Sequence, residues 1–241
     1  MLLFLNNVDE WVLDPLKAVG PQLREILRAR IICNDLKPAS GISETELAKF
    51  YNVSRQPVRE AFITLVNEGL VEIRPQRGTY VKCIDYKSVM NGRFVREAVE
   101  ADIVEKLSKK PDKQLVTELR SQLHEQHACA KGSASAFIEL DERFHHTLAN
   151  AAGLHKIWDL LETTKSQMDR VRFITFEEFP TDKLIQQHEL IVDCIEEASP
   201  IRAKTAMRNH LREILNSLPK VRDRYPDYFE NVETVVSHHT T

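Results

Sequence analysis

Through most of this chain apolar residues recur every three to four positions, and they alternate in only one short stretch. That pattern predicts helices interrupted by a single hairpin. Between Ile42 and Val81 two short helical patterns flank a polar break, Tyr51-Asn52-Val53. Ser43 with Glu46 three residues on is a capping-box arrangement, and Leu47, Ala48 and Phe50 give that helix an apolar face. The next helix opens at Ser54, whose hydroxyl is placed to cap it. Val58, Phe62, Leu65 and Val66 form its core-facing side. Leu70, Val71 and Ile73, returning through Tyr80 and Val81, read as a hairpin. Its tip is Arg74-Pro75-Gln76-Arg77-Gly78-Thr79, where Gly78 permits a tight turn and close approach to a groove.

Periodicity fades from Lys82 to Ser88, which places a linker there. Six helical patterns follow. They run over Val89–Lys109, a segment capped by Asp112 and carrying Leu115, Leu119 and Leu123, Ala134–Ala152 ended by Gly153, His155–Phe173, a segment after Thr181, and Ile201–Leu218. Helices of similar length with short connections predict an antiparallel bundle. The expected fold is mainly α. A winged helix-turn-helix spans 1–83, an antiparallel six-helix bundle 84–224, and a loosely ordered tail 225–241.

Charge sharpens this division. The chain carries a net −3 over 241 residues, which by itself does not announce a nucleic-acid binder. Residues 16–83, however, hold eleven Lys/Arg against seven Asp/Glu, while 84–241 hold 22 against 26. A basic head on an acidic body suits a DNA-binding module attached to a sensor. Arg55, Gln56 and Arg59 sit in the first turn and a half of the helix that opens at Ser54, opposite its apolar side. The major groove admits such a helix, and its base edges accept hydrogen bonds from Arg and Gln. Arg77 adds charge at the hairpin tip. The candidate DNA-binding residues are therefore Ser54, Arg55, Gln56, Arg59, Arg77 and Gly78.

In the body, Asp141 and His145 lie four apart on one helix and project from the same face. A carboxylate and an imidazole one turn apart can chelate a divalent ion. His188, three before Ile191, and His210, four before Ile214, face inward by the same periodicity and are candidates for the remaining ligands. Spacing alone leaves open the alternative that these are hydrogen-bonded core histidines.

From about Leu16 to Val81 the sequence resembles the GntR family of bacterial transcription regulators. The resemblance rests on Leu36, Pro38, Ile42, Ser43 and Glu44, on the run NVSRQPVREA, and on EGL followed by RGTYV. It implies that the positions of Arg55, Gln56 and Arg59 contact DNA and that Gly78 approaches the minor groove. Thr45 stands where many members carry a DNA-contacting arginine. From about Met90 to Leu218 the chain resembles the FCD effector domain of the FadR subfamily. That resemblance implies one divalent transition metal, zinc first and nickel or manganese next, held by Asp141, His145, His188 and His210. It also implies a cavity-facing role for Arg96, with Arg172 and Arg170 as weaker candidates, and a small carboxylate effector such as a hexonate or uronate. Leu154 replaces an asparagine common in the family.

The expected function is a transcription regulator of the repressor type. It would act as a cytoplasmic homodimer on a double-stranded DNA operator, without membrane association and without catalytic activity. The four cysteines, Cys33, Cys83, Cys129 and Cys194, form no C-x-x-C pair, as suits a reducing compartment. Two other classes remain in play. A metal-dependent hydrolase could use the same ligands, but no nucleophile motif or phosphate loop accompanies them. An architectural DNA binder could carry the metal as a purely structural ion.

Overall fold

The computed structural model describes residues 11–130, 132–176 and 181–230. The head contains α1 (Val19–Ile32), β1 (Gly41–Ile42), α2 (Glu44–Phe50), α3 (Arg55–Asn67), β2 (Val71–Arg74) and β3 (Gly78–Val81). The three strands form an antiparallel sheet in the order β1-β3-β2, with Ile42 opposite Thr79 and Val71 opposite Val81. Ser43 caps α2 through the Glu46 amide at 3.2 Å. Asn52, at φ 52°, turns the chain between α2 and α3. Gly78, at φ 102°, closes the wing where a side chain would be strained. Leu23, Leu27 and Ile31 of α1 pack with Val58, Phe62 and Leu65 of α3 and with Val71 and Val81 of the sheet.

Several local expectations change. Ser54 occupies the N-cap position of α3, but its hydroxyl makes no capping bond. Phe50 is 67% exposed and lies edge-on to Tyr51 rather than in the core. Val66 stands at the rim, and Ala61 takes the inward position instead. β1 was not apparent as a strand because two residues carry no periodicity.

The body contains α4 (Tyr86–Ser108), α5 (Lys113–Cys129), α6 (Ala134–Ala151), α7 (His155–Thr164), α8 (Ser166–Ile174), α9 (Thr181–Glu196), α10 (Pro200–Leu211) and α11 (Ile214–Arg224). Asp85 caps α4 through the amides of Lys87 and Ser88, so the linker is shorter than the fading periodicity suggested. Two of the six expected helices are each split in two. The segment 155–173 breaks at Lys165 although it contains no Gly or Pro. The cause is tertiary. α4 crosses there at Gly92, and a Cβ on Gly92 would lie 2.8 Å from the Thr164 carbonyl oxygen. The second split, at Arg212–Glu213, closes with short-range bonds from Glu213 N to the His210 carbonyl and from Leu215 N to the Arg212 carbonyl.

Head and body touch along α1 and α8. Ile32 packs on Ile138 with Phe173 and Phe176 around them. Arg28 donates to the Glu162 carbonyl at 2.7 Å, and Gln167 donates to the Gly69 carbonyl at 3.0 Å. Arg170, a weaker effector candidate by sequence, lies at this joint instead. It donates to the Lys82 carbonyl at 2.8 Å and to Gln167 at 3.1 Å. Residues 225–230, expected in a loose tail, also dock here. Phe229 is buried, Ile84 N donates to the Tyr228 carbonyl at 2.7 Å, and Glu230 N donates back to Ile84 at 3.1 Å. Residues 231–241, including His238 and His239, lie outside the described residues.

The Gly92 crossing generates a stability prediction. Gly92→Ala forces a methyl group against a backbone carbonyl that has no freedom to move away. Overpacking of this kind costs about 1–3 kcal/mol. The urea midpoint should fall clearly, whereas Asn91→Ala on the exposed side of the same helix should leave it nearly unchanged. Equal midpoints for Gly92→Ala and wild type would contradict the close crossing.

Candidate functional site

The body's core brings four candidate ligands together from three helices. α6 supplies Asp141 and His145, α9 supplies His188, and α10 supplies His210, all buried. Their ligand atoms lie within 4.8 Å of one another. His145 Nε2 is 3.1 Å from His210 Nε2, and His188 Nε2 is also 3.1 Å from it. Phe144 stacks on His188 at 4.3 Å between ring centroids and walls the cluster on one side.

The outer ring nitrogens explain why the inner ones converge. His145 Nδ1 meets Glu100 Oε2 at 2.5 Å. His188 Nδ1 meets Gln126 Oε1 at 2.9 Å, and His210 Nδ1 meets Gln187 Oε1 at 3.1 Å. Both amides are oriented by their own Nε2 groups, which donate to the Leu140 carbonyl and to Glu213 Oε2 respectively. Each Nδ1 therefore faces an oxygen acceptor and carries the proton. Each Nε2 then presents a lone pair to the same small volume. Asp141 Oδ1 points there as well and has no hydrogen-bond partner among the described residues. Lone pairs facing one another at 3.1 Å repel unless a cation lies between them. This is the donor arrangement of a site for a borderline divalent ion.

Charged side chains surround the cluster. Arg172 Nη2 donates to Asp141 Oδ2 at 2.5 Å, and Arg172 Nη1 donates to Glu142 Oε1 at 2.9 Å. Lys165, fully buried at the break between α7 and α8, pairs with Glu142 at 2.8 Å and Asp169 at 2.7 Å. Arg96 Nε donates to Glu100 at 2.5 Å. Burial alone would raise the Asp141 carboxyl, yet the Arg172 guanidinium holds it well below the usual range. Burial opposes ionisation of Glu100 too, but Arg96 and His145 hold it at about 2. Burial pushes His188 down to about 3 and His210 well below its ordinary value. Asp169 moves the other way, raised by burial and by Glu142 beside it.

Beside the cluster lies a cavity of about 30 Å³ lined by Arg96, Asp141, Arg172, His210 and Glu213 and by the apolar Met168, Leu184, Leu211 and Ile214. It has room for about one water. The two arginines singled out by sequence, Arg96 and Arg172, both line it, but each is already paired with a carboxylate. Glu100, Gln126 and Gln187, which hold the imidazoles, carry no signal in the sequence. On α4, Val95 and Val99 are only half-buried. The buried face runs through Val89, Gly92, Arg96, Glu100, Ile103 and Val104. Those positions follow helical spacing, but their charged members hid the stripe.

On the head, Arg55 and Arg59 lie at the exposed N-terminal end of α3, and both are held by Glu44 of α2. Gln56 donates to Glu60 at 3.0 Å. Ser54 is exposed at the start of this helix. Arg77 and Gly78 are exposed at the wing tip, where the Arg77 carbonyl accepts from the Tyr80 hydroxyl at 3.0 Å. The arginine-bearing turn and the wing thus project from the head without being needed for its core. Among the described residues no helix is long and apolar enough to cross a membrane.

Comparison with known proteins agrees with both halves of this arrangement. Residues 21–81 match the bacterial regulatory proteins of the gntR family, and residues 93–213 match the FCD domain. The chain is 36% identical to the HTH-type transcriptional repressor RspR of Escherichia coli (strain K12) over 222 residues, covering 91% of this chain and 97% of that one. It is 26% identical to the gluconate operon transcriptional repressor of Bacillus licheniformis over 178 residues, covering 70% of this chain and 72% of that one. The solved structure of E. coli McbR/YncC shares the fold, with a TM-score of 0.72 at 16% identity, covering 87% of this chain and 100% of that one. With a basic wing and an arginine-bearing turn at one end and an FCD bundle at the other, the chain belongs to the GntR family of DNA-binding transcription regulators.

Proposed function

We propose that this regulator is a homodimeric repressor whose hold on its operator is set by a small organic acid at a divalent metal in the FCD bundle. One observation carries the reading. Three imidazole nitrogens and one carboxylate oxygen converge with their lone pairs facing, and each outer nitrogen is already committed to an oxygen acceptor. Asp141, His145, His188 and His210 would hold the ion, and a ligand set rich in imidazole favours zinc, then nickel, with manganese the weakest of the three. The ion would supply a Lewis-acidic anchor for a carboxylate.

Charge supports an acid over a neutral sugar. Count the imidazoles as neutral, as metal ligands must be. The connected buried set is then Arg96, Lys165 and Arg172 against Glu100, Asp141, Glu142 and Asp169, a net −1, and Glu213 at the cavity is balanced by Lys183 at 2.7 Å. A divalent ion brings it to +1, and one carboxylate balances it. Arg96 and Arg172 border the same cavity and are the effector residues of this reading. A relative named for a gluconate operon suits a sugar acid. Entry of such a ligand requires the cavity to widen, and the Arg172–Asp141 pair is the contact that stands in its way.

The signal has a short path to the head. One side of α8 carries Lys165's partner Asp169 and the metal-facing Arg172. Its other side carries Gln167 and Arg170, which hold the backbone of Gly69 and Lys82. A ligand that separates Arg172 from Asp141 therefore acts on the helix that holds the head. Coupling requires different ligand affinity in the two arrangements. Dimerisation is supported by Phe94 on α4 and Leu160 on α7, which are 65% and 67% exposed on helices that pack together.

Wild-type protein with His238 and His239 replaced should carry about one divalent ion per chain, and His188→Ala with His210→Ala should lose it, read by elemental analysis. Equal metal in both would place the ion elsewhere.

Metal-free protein should lose stability on acidification. His188 protonates near 3 when folded, against about 6.5 when unfolded. The unfolded chain then binds more protons between those values, so stability falls as pH drops below about 6.5. The lowered carboxyls of Glu100 and Asp141 add the same sign in the acid range, and the raised carboxyl of Asp169 opposes them there. The urea midpoint should be lower at pH 5 than at pH 7, and an unchanged or higher midpoint would count against a neutral buried His188.

On a duplex selected by the protein from a random pool, two chains should bind per duplex. Arg55→Ala or Arg59→Ala should weaken binding by about 1–3 kcal/mol, the worth of a good base contact. Calorimetric stoichiometry of one chain, or unchanged affinity in both variants, would overturn the assignment.

A further inference from the structure

We propose that Glu44 determines DNA specificity by positioning the two recognition arginines, a role that rests on the reading of α3 as the DNA-contacting helix. Glu44 is the first residue of α2, and the Ser43 cap fixes that turn. Its carboxylate spans two residues of the neighbouring helix. Oε1 accepts from Arg55 Nε at 2.6 Å and from Arg59 Nη2 at 3.1 Å, and Oε2 accepts from Arg59 Nε at 3.2 Å. The Glu44 side chain is 19% exposed, while those of Arg55 and Arg59 are 60% and 54% exposed. Among the described residues neither arginine has another acidic partner. The two guanidiniums hold the Glu44 carboxyl below its usual range against the effect of its partial burial.

A guanidinium offers two edges for bidentate contact, one through Nε and one through the paired Nη groups. Glu44 occupies the Nε edge of both arginines. For Arg55 this leaves both Nη groups free, and they form the edge that matches guanine O6 and N7 or a phosphate. The carboxylate thereby selects which face of each arginine DNA meets. It also restrains two long side chains that would otherwise sample many rotamers.

The same carboxylate carries a charge of the wrong sign for this surface. A negative group beside the phosphate backbone weakens attraction that does not depend on sequence. Glu44 therefore acts in opposite directions on the two modes of binding. It strengthens contact with a sequence that fits the oriented arginines and weakens contact with every other sequence. A bystander acid would do only the second, and a purely structural residue would support both equally.

The experiment uses full-length protein, a duplex selected from a random pool by wild type, and a scrambled duplex of the same length. Dissociation constants are measured for wild type, Glu44→Gln, Arg55→Ala and Arg59→Ala at several salt concentrations, alongside thermal unfolding of each protein. Glu44→Gln should bind the selected duplex roughly tenfold more weakly, within the range of one mismatched base pair. Its binding to the scrambled duplex should hold or tighten, with an unfolding temperature close to wild type. Tightening on both duplexes by the same factor would make Glu44 a bystander charge. Parallel weakening on both, with a lower unfolding temperature, would make it structural. If the arginine variants weaken selected binding and Glu44→Gln does not, the clamp alone falls. If the arginine variants have no effect, the recognition-helix reading falls and takes the clamp with it.

Discussion

The centre of this bundle depends on what its histidines do with their outer nitrogens. Glu100, Gln126 and Gln187 come from three different helices, α4, α5 and α9, and each takes one Nδ1. That commitment sets the tautomers, aims three lone pairs at one point and leaves Asp141 Oδ1 without a hydrogen-bond partner among the described residues. A buried polar atom without a partner is costly unless something charged arrives to satisfy it. The packing around the site follows the same need. Arg96, Lys165 and Arg172 are drawn into the interior because four buried carboxylates require them, and charged groups are seldom buried unless paired. The core is consequently split. Apolar layers of Leu115, Leu119, Leu148, Ile191 and Ile195 on one side hold the helices together, and an ionic layer on the other gives them something to bind.

The head was the more legible half. Its signals are local: a cap at Ser43, a left-handed turn at Asn52, a glycine at the wing, and an apolar back on α3. Such features are decided within a few residues, so a one-dimensional reading recovers them. The misjudged residues there are those decided by neighbours far along the chain. Phe50 satisfies the helical period yet stays exposed on the last turn of α2, edge-on to Tyr51 rather than in the core. Ser54 has the right chemistry for a cap and sits at the right position, but makes no capping bond.

In the body, the candidate ligands were legible because Asp141 and His145 share a helix turn and His188 sits in step with Ile191, whereas His210 faces inward although the helix ends before Ile214. Their supports were not. Gln126 and Gln187 look like surface glutamines, and only the crossing of α5, α9 and α10 turns them inward. The split at Lys165 was invisible for a related reason. No breaker residue marks it, and the cause is a glycine some seventy residues earlier on another helix. Arg170 and Arg172 differ by two positions, which on a helix means nearly opposite faces. One serves the site and the other the joint, and sequence could not say which.

The segment after α11 has a consequence for the order of assembly. The contacts of the head fall within residues 13–81, so they can form while later residues are still being made. The joint is different. Ile84 waits for Tyr228 and Glu230, its hydrogen-bonding partners from the far side of the bundle. A nascent chain can tie its head to α7 and α8 through Arg28, Gln167 and Arg170 once those helices have emerged. The Ile84 bonds are added only at the end of synthesis, so the last part of the joint to close is the one that fixes the chain between head and body.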